Sequence, residues 1–481
     1  MHNTRRKFIQ NTMLIGAGVS LPHLLSASDF GTFTRTIKAS DQINFGLIGC
    51  KGMGWSNMNA HLKLPQVNCV ALADVDQSVL DQRTEDVFKL RGKRPKQYKD
   101  YRKLLEDPTI DVVIIGTPDH WHCLNMVDAV SAGKHVYVEK PIANTIEECQ
   151  IMVKAQQKYG KIVQVGQWQR SGSQYAEAID YVKSGKLGQI RLVKCWAYQG
   201  WMKPVPKVAN SAAPAGVDYT MWLGPAPKRD FNQNRFHFNF RWFWDYAGGL
   251  MTDWGVHEID IALYAMGVKA PKSVMASGGK FAYTDDASET PDTLQTVYEY
   301  DGFNMLWEHA TGIDGGNYGS TEGIAFIGNN ATLVVNRGGW KVIPETENKD
   351  GQRINKIAEV PHSKPIKNAH EAHAVNFIDA ITNNDISRLK CGIQTGSIAA
   401  ISAQMGNIAY KTGKKVYWDA AKNQFTDSEA NQLMKARYNN GLQVPKVLYE
   451  RKWDPIAIGW GCREITYLHF SRTSWLFLIN Y

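Results

Sequence analysis

The sequence predicts an α/β protein: an N-terminal doubly wound parallel sheet followed by a second α/β domain with a mostly antiparallel sheet. Three observations predict it. From Ile43 to Val165 short apolar runs alternate with helical segments. A glycine cluster (Gly49, Gly52, Gly54) stands at the first strand–helix junction. Beyond Gly166 the pattern changes to strand-like runs joined by tight turns such as Asp301-Gly302.

In order, 43–48 reads as a buried strand, the glycines open a helix, and 67–73 is a second strand ending in Asp74. A polar helix (77–90), the segment 98–105 and the strand 111–116 follow, then Thr117-Pro118-Asp119-His120-Trp121-His122 and a helix over 123–132. The strand 135–138 ends at Glu139-Lys140-Pro141, before a helix (146–159) and a strand (162–165). Ligands of such sheets sit beyond the C-terminal strand ends, so both motifs face the ligand. The second domain has strands at 190–198, 273–281, 294–300, 304–309, 323–327 and 332–335, and helices at 370–381 and 397–410. The domains are expected at 41–165 and 166–420, with a leader and linker over 1–40 and an arm over 421–481. The aromatic-rich stretch 448–481 has no clear helical or strand period.

Strand, glycine turn, helix, strand and acid together form the grammar of a dinucleotide site. Gly49, Gly52 and Gly54, with Lys51 and Met53 between them, let backbone approach a pyrophosphate at a helix N-terminus. Lys51 stands where a strict G-x-G-x-x-G has its second glycine. Asp74 lies 20 residues past Gly54 (74 − 54), where a carboxylate accepts from both ribose hydroxyls and repels a 2′-phosphate; NAD is favoured over NADP.

Composition is that of a soluble globular protein, 43% hydrophobic with 15 Trp, and no apolar run is long enough to span a bilayer. Net charge is +9, yet no basic helix or Lys/Arg run stands out, which argues against nucleic-acid binding. Thr4-Arg5-Arg6-Lys7-Phe8, then a modest apolar stretch (13–25) and Ser26-Ala27-Ser28, resembles a twin-arginine export signal, so a periplasmic protein is expected, not membrane-bound after export. That route carries folded proteins, which suits an enzyme loaded with nucleotide in the cytoplasm. The seven cysteines form no C-x-x-C and read as buried small hydrophobes.

Two places carry the chemistry. Lys140, delivered by a strand end, can donate to a substrate hydroxyl and favour the alkoxide character that develops as hydride leaves. In Gly248-Gly249-Leu250-Met251-Thr252-Asp253-Trp254-Gly255-Val256-His257-Glu258-Ile259-Asp260, helical spacing puts Asp253 and His257 on one face with Asp260 nearby. A carboxylate beside an imidazole orients a proton acceptor. The same three can be read as metal ligands, but without a matching Cys/His set no metal is expected. Trp168, Gln169 and Arg170, with the run 236–244 (FHFNFRWFW), supply aromatic and basic groups suited to a sugar pocket, although much of that run also suits a core.

INFGLIGCKGMG with Asp74, TPDHWH, EKP, GQWQRS, WLGPAP and GGLMTDWGVHEIDIALY resemble, in order, the glucose–fructose oxidoreductase/inositol dehydrogenase (Gfo/Idh/MocA) family, most of all its exported branch, over about residues 42–420. The resemblance implies a Rossmann domain and a C-terminal domain whose open sheet serves in oligomerisation (dimer or tetramer). It implies Lys140 as catalytic lysine, His257 as acid/base, and Asp253 as a substrate-binding or orienting carboxylate. Gly49, Gly52, Gly54, Asp74, Thr117, His120 and Glu139 match cofactor-contact positions. The implied reaction is hydride transfer between NAD and a carbinol carbon of a sugar, polyol or glycoside. Some exported relatives are glycosidases that oxidise a sugar transiently, and a nucleotide-binding module with little turnover is a further alternative.

Overall fold

The computed structural model describes residues 41–365 and 368–447. The expected export signal and the stretch 448–481 lie outside the described residues.

The first layer is β1 (Ile43–Ile48), α1 (Gly52–Leu62), β2 (Val67–Ala73), α2 (Gln77–Arg91), β3 (Lys96–Tyr98), α3 (Tyr101–Leu105), β4 (Val112–Ile115), α4 (Asp119–Ser131), β5 (His135–Val138), α5 (Ile146–Tyr159) and β6 (Val163–Val165). The six strands are parallel in the order β3-β2-β1-β4-β5-β6. Leu47 lies between Leu72 and Ile114, and all three are fully buried, which is why these strands are apolar without alternation. Helix starts follow side-chain caps: Asp76 accepts from Ser78 N, and Thr145 accepts from Glu148 N. The chain order reverses between β1 and β4, so a crevice opens at their C-terminal ends.

The second region continues through α6 (Ser173–Lys183), β7 (Ile190–Gln199), α7 (Tyr219–Leu223), α8 (Gly249–Asp253), α9 (Gly255–Met266), β8 (Ser273–Gly279), β9 (Thr293–Glu299), β10 (Asn304–Thr311), β11 (Glu322–Gly328), β12 (Ala331–Asn336), β13 (Gly339–Pro344), the hairpin β14 (Thr346–Lys349) and β15 (Gln352–Asn355), and β16 (Val360–Ser363). It closes with α10 (Ala369–Asn383), α11 (Ile393–Thr412), β17 (Val416–Asp419), β18 (Gln424–Phe425) and α12 (Ser428–Leu433). Ten strands form one sheet in the order β16-β13-β12-β11-β7-β10-β9-β8-β17-β18, antiparallel except for β7 with β10. One face packs on α6, α9 and α11 through Val193, Cys195, Ile259 and Met405.

Two expectations change. The boundary at 420 moves outward: β18 extends the ten-stranded sheet, and Phe425 and Ala430 sit in its core. Nor is the first domain contiguous in sequence. Phe377 and Ile381 of α10 pack with Phe45 and Leu47, and Ile393 and Ala400 of α11 pack with Val163 and Val165. The six described cysteines are buried and unpaired.

Candidate active site

A cleft of about 680 Å³ lies over the C-terminal ends of β1, β4 and β5. Its floor is the glycine turn. Gly49 has φ +81°, and a Cβ there would stand 2.6 Å from Thr117 N. A Cβ on Gly54 would stand 2.0 Å from Gly49 O, and one on Gly116 would stand 2.3 Å from the Gly54 Cα. Glycine is required at these three places because backbone packs directly on backbone. Gly52, by contrast, has φ +50° and open space where its Cβ would be, on the cleft side. Together with the N-terminus of α1, that opening is a cradle suited to a pyrophosphate.

Lys51, Met53 and Asp74 line the same end. Asp74 accepts from Cys50 N at 2.7 Å and from Asp76 N at 3.0 Å, which fixes its carboxylate at the cleft wall. Burial pushes its pKa up, against the lowering effect of those N–H donors. Three cations share this end: Lys51, Arg83 and Lys99. Arg83 lies over the Trp55 ring at 4.8 Å.

The other end is built from separated segments. Lys140 Nζ donates to the Asp253 backbone carbonyl at 2.8 Å and to Asp253 Oδ1 at 2.9 Å, joining β5 to α8. Arg241 Nε lies 3.4 Å from the same Oδ1. Burial raises the Asp253 pKa, but the Lys140 and Arg241 charges outweigh it and hold the carboxylate at about 2. Glu139 accepts from Asn57 Nδ2 at 2.7 Å and from Lys140 N at 3.2 Å, and burial raises its pKa. Gly166 gives it room, since a Cβ there would meet Glu139 Oε1 at 2.5 Å. Thr117 donates to Asn125 Oδ1 at 2.9 Å and lines the cleft.

The far wall is a strap over 200–247 with little regular structure. Within FHFNFRWFW, Phe236, Trp242 and Phe243 join an aromatic core with Trp222 and Tyr246, while His237, Phe238, Phe240 and Arg241 line the cleft. The strap clips onto the loop after β2. Gln77 N donates to Gly216 O, Asp218 N donates to Val75 O, and His237 Nε2 lies 3.0 Å from Asp76 Oδ2.

Several expected site residues sit elsewhere. The stretch 249–266 is two helices broken at Trp254, so Asp253 and His257 do not share a helical face, and Asp253 pairs with Lys140 instead. Asp260 does not orient His257 either. It takes both Arg170 contacts, at 2.7 and 2.8 Å, so Arg170 is a buried ion-pair partner away from the cleft lining. His120 points its Nε2 at Trp222 O (3.1 Å) and is outside the lining, fastening α4 to the strap. His257 and Trp168 are also outside the cleft lining; His257 is 4% exposed, its ring 5.9 Å from Trp168 and 6.3 Å from Trp254, with Nδ1 buried and unpartnered. Burial first, then the Lys140 and Arg337 charges, drives its pKa far down, leaving a neutral imidazole. Arg337 lies over both Trp168 and Trp254 and donates to Gln169 Oε1. Among the described residues no group of three or more His, Cys, Asp or Glu is placed to hold a metal, and no helix is long and apolar enough to cross a membrane.

Asp119 and Arg241 were not singled out in the sequence. Asp119 carries a readable signal, being a carboxylate directly after Thr-Pro at a strand end. Arg241 is covered only as part of the run 236–244, because the strap's fold decides which residues of that run face the cleft.

Fold and cleft define a two-domain α/β protein whose first domain has the cradle of a dinucleotide-binding fold. The chain belongs to the Gfo/Idh/MocA oxidoreductase family: residues 43–167 match its NAD-binding Rossmann fold and residues 182–443 its C-terminal alpha/beta domain. A glycosyl hydrolase family 109 protein of Shewanella sp. (strain ANA-3) is 29% identical over 206 residues, covering 40% of this chain and 45% of that protein. The chain thus spans less than half of the relative's length in that match. The fold is similar to that of aldose-aldose oxidoreductase from Caulobacter crescentus complexed with glycerol (19% identity, TM-score 0.58, 78% of this chain and 99% of that one). It is also similar to levoglucosan dehydrogenase in complex with NADH and levoglucosan (20% identity, TM-score 0.58, with the same coverage).

Proposed function

We propose that this protein is an NAD-dependent oxidoreductase that moves hydride between the nicotinamide and a carbinol carbon of a sugar, polyol or glycoside. The observation that carries the reading is Lys140, held by Asp253 at the opposite end of the cleft from the glycine cradle. Gly49, Gly52 and the α1 N-terminus would hold the pyrophosphate, Asp74 the adenosine ribose, and Thr117 and Glu139 the nicotinamide half. The bound nicotinamide would supply the hydride acceptor. Lys140 Nζ donates to the substrate oxygen as negative charge develops there, and Asp253 fixes the ammonium. His257, neutral but outside the cleft lining with Nδ1 buried, is given the hydroxyl proton on the family resemblance alone. Asp74 favours NAD, while Lys51, Arg83 and Lys99 make the choice against NADP one to measure.

Initial rates of nicotinamide reduction over a panel of aldoses, polyols and glycosides test the reading. Lys140→Ala and His257→Ala should each lose about 10²-fold or more in kcat; near wild-type turnover in either removes that residue from the mechanism. A second reading, NAD-dependent glycoside cleavage by transient oxidation, is favoured by the glycosyl hydrolase family 109 match. It requires aglycone release from a p-nitrophenyl glycoside without accumulating reduced nucleotide. Nucleotide retention without any turnover would leave a binding module.

Export by the twin-arginine route belongs to the same proposal, because a retained cofactor removes the need for fresh NAD outside the cytoplasm; loss of export on Arg5→Lys/Arg6→Lys tests it. So does a homo-oligomer formed through the sheet face away from the helices, which exposes Leu192, Met275, Ile343 and Tyr417. Light scattering reads that state directly.

A further inference from the structure

Asp119 has no task in the chemistry above, yet it occupies the reacting end of the cleft. It opens α4 directly after Thr117-Pro118, is 7% exposed, and lines the cavity with Lys140 and Arg241. The charged groups acting on it come from three separate elements: Arg241 from the strap, Asp253 from the end of α8 and Lys140 from the end of β5. His122 and Glu139 line the same end. Among the described residues the Asp119 carboxyl accepts from its own backbone N–H and from no other side chain, which leaves acceptor capacity facing the cleft.

Lys140 and Arg241 bring two positive charges and Asp253 one negative, an excess of one (2 − 1) that two further carboxyls at this end, Glu139 and Asp119, both raised by burial, stand ready to meet. An oxidised nicotinamide adds a further positive charge; a reduced one adds none. Because the Asp119 side chain is buried, that difference acts on it with reduced solvent screening.

We propose that Asp119 is a proton-binding site coupled to the charge of the nicotinamide: ionised beside the oxidised, cationic ring and protonated beside the reduced, neutral one. The inference rests on the nicotinamide reading above and deepens it. Burial pushes its carboxyl up to about 7, with Arg241 and Lys140 lowering it and Asp253 raising it, so one added charge moves it across neutrality. The balance closes. The carbinol gives up a hydride and a proton and becomes a carbonyl, two electrons more oxidised. The nicotinamide takes the hydride, two electrons more reduced. His257 takes the hydroxyl proton first, and one proton ends on the Asp119 carboxylate through cleft solvent instead of leaving to bulk. A site that keeps its cofactor between half-reactions then keeps the proton as well.

Linkage makes this testable without a substrate. The full chain, stripped of nucleotide on charcoal, is titrated calorimetrically with NAD⁺ and separately with NADH between about pH 6 and 8, in buffers of different ionisation heat. NAD⁺ affinity should weaken by up to about tenfold per pH unit below pH 7, with a proton released on binding, while NADH affinity stays level. Asp119→Asn should bind both nucleotides, flatten the NAD⁺ profile and release no proton; Asp119→Glu should restore the slope. An unchanged slope in Asp119→Asn overturns the proposal, and so does the same slope for NADH as for NAD⁺ in the wild type, whether or not the variant folds. A folded chain that binds neither nucleotide overturns the nicotinamide reading itself. If nucleotide survives stripping, the bound couple is equilibrated with a mediator dye: below about pH 7 Asp119 adds up to one proton per hydride, and a single proton per hydride there contradicts it.

Discussion

The two ends of the cleft are built by different rules. The end with the glycine cradle comes almost entirely from one stretch, Gly49 to Asp74, whose geometry follows from local backbone needs. The end around Lys140 is assembled from β5, the turn before α4, the C-terminus of α8 and the strap, residues far apart in sequence. Backbone shape holds the first end; a cluster of mutually compensating charges holds the second. The first should therefore fail by steric insult, and the second by removal of one charge from the set.

The largest expected effect is at the charged end. Lys140→Ala should lower kcat by about 10³-fold, an order typical of losing a preorganised donor to a developing oxyanion, with nucleotide content unchanged. Equal loss of nucleotide would merge the two ends into one. Gly54→Ala should do the reverse. Its Cβ would stand 2.0 Å from Gly49 O, so the turn must open, at a cost of about 3 kcal/mol or more, and the purified chain should lose its nucleotide. Retained nucleotide and an unchanged Tm would show that the cradle tolerates a side chain.

The third expectation uses pH. Burial raises the Asp119 carboxyl from 3.8 to about 7. Both folded and unfolded chains are protonated there below about pH 4, so no stability difference arises from it. As pH climbs to about 7 the unfolded chain gains by ionising and the folded one does not, so stability is lost across that window. About three units at ~1.4 kcal/mol each set the scale, and the nucleotide-free Asp119→Asn variant should gain on the order of 2–4 kcal/mol at pH 8 and nothing near pH 4. Thermal melts at the two pH values read the difference; equal shifts at both would place Asp119 outside this account.

The smallest effect is expected at the strap. The His237–Asp76 contact is partly exposed, and such pairs contribute roughly 1 kcal/mol or less. His237→Ala should speed nucleotide release by about three- to fivefold with kcat little changed, as read by displacement of a fluorescent analogue. No change in release would mean that the backbone clips at Val75 and Gln77 hold the strap alone.

What was legible in the sequence follows the same division. Gly49, Gly54 and Asp74 could be read because a turn that packs backbone on backbone admits only glycine, and spacing fixes the acid. Lys140 could be read because a strand end in a parallel sheet has one place to point. The pairing of Asp253 could not. Unbroken helical spacing links it to His257, and only the helix break at Trp254 and the approach of β5 redirect it to Lys140. Arg170 and Asp260 look like two free polar groups until a contact across 90 residues neutralises both. The strap was legible as aromatic but not as a wall, since alternation into core and cleft depends on its tertiary path. Strand β13 and helix α6 were also missed; their apolar patterns are short and interrupted by Lys341, Glu177 and Asp180.

The central claim is that the glycine-lined cleft holds a nicotinamide dinucleotide for chemistry at Lys140. The most direct measurement is on protein folded in the cytoplasm and purified without added cofactor, then denatured, with the supernatant assayed for NAD(H) and NADP(H). The account predicts about one NAD(H) per protomer, unchanged in Lys140→Ala and lost in Gly54→Ala. Nucleotide absent from the wild type, and not taken up when NAD⁺ is supplied, would contradict it; NADP(H) in place of NAD(H) would overturn the role given to Asp74.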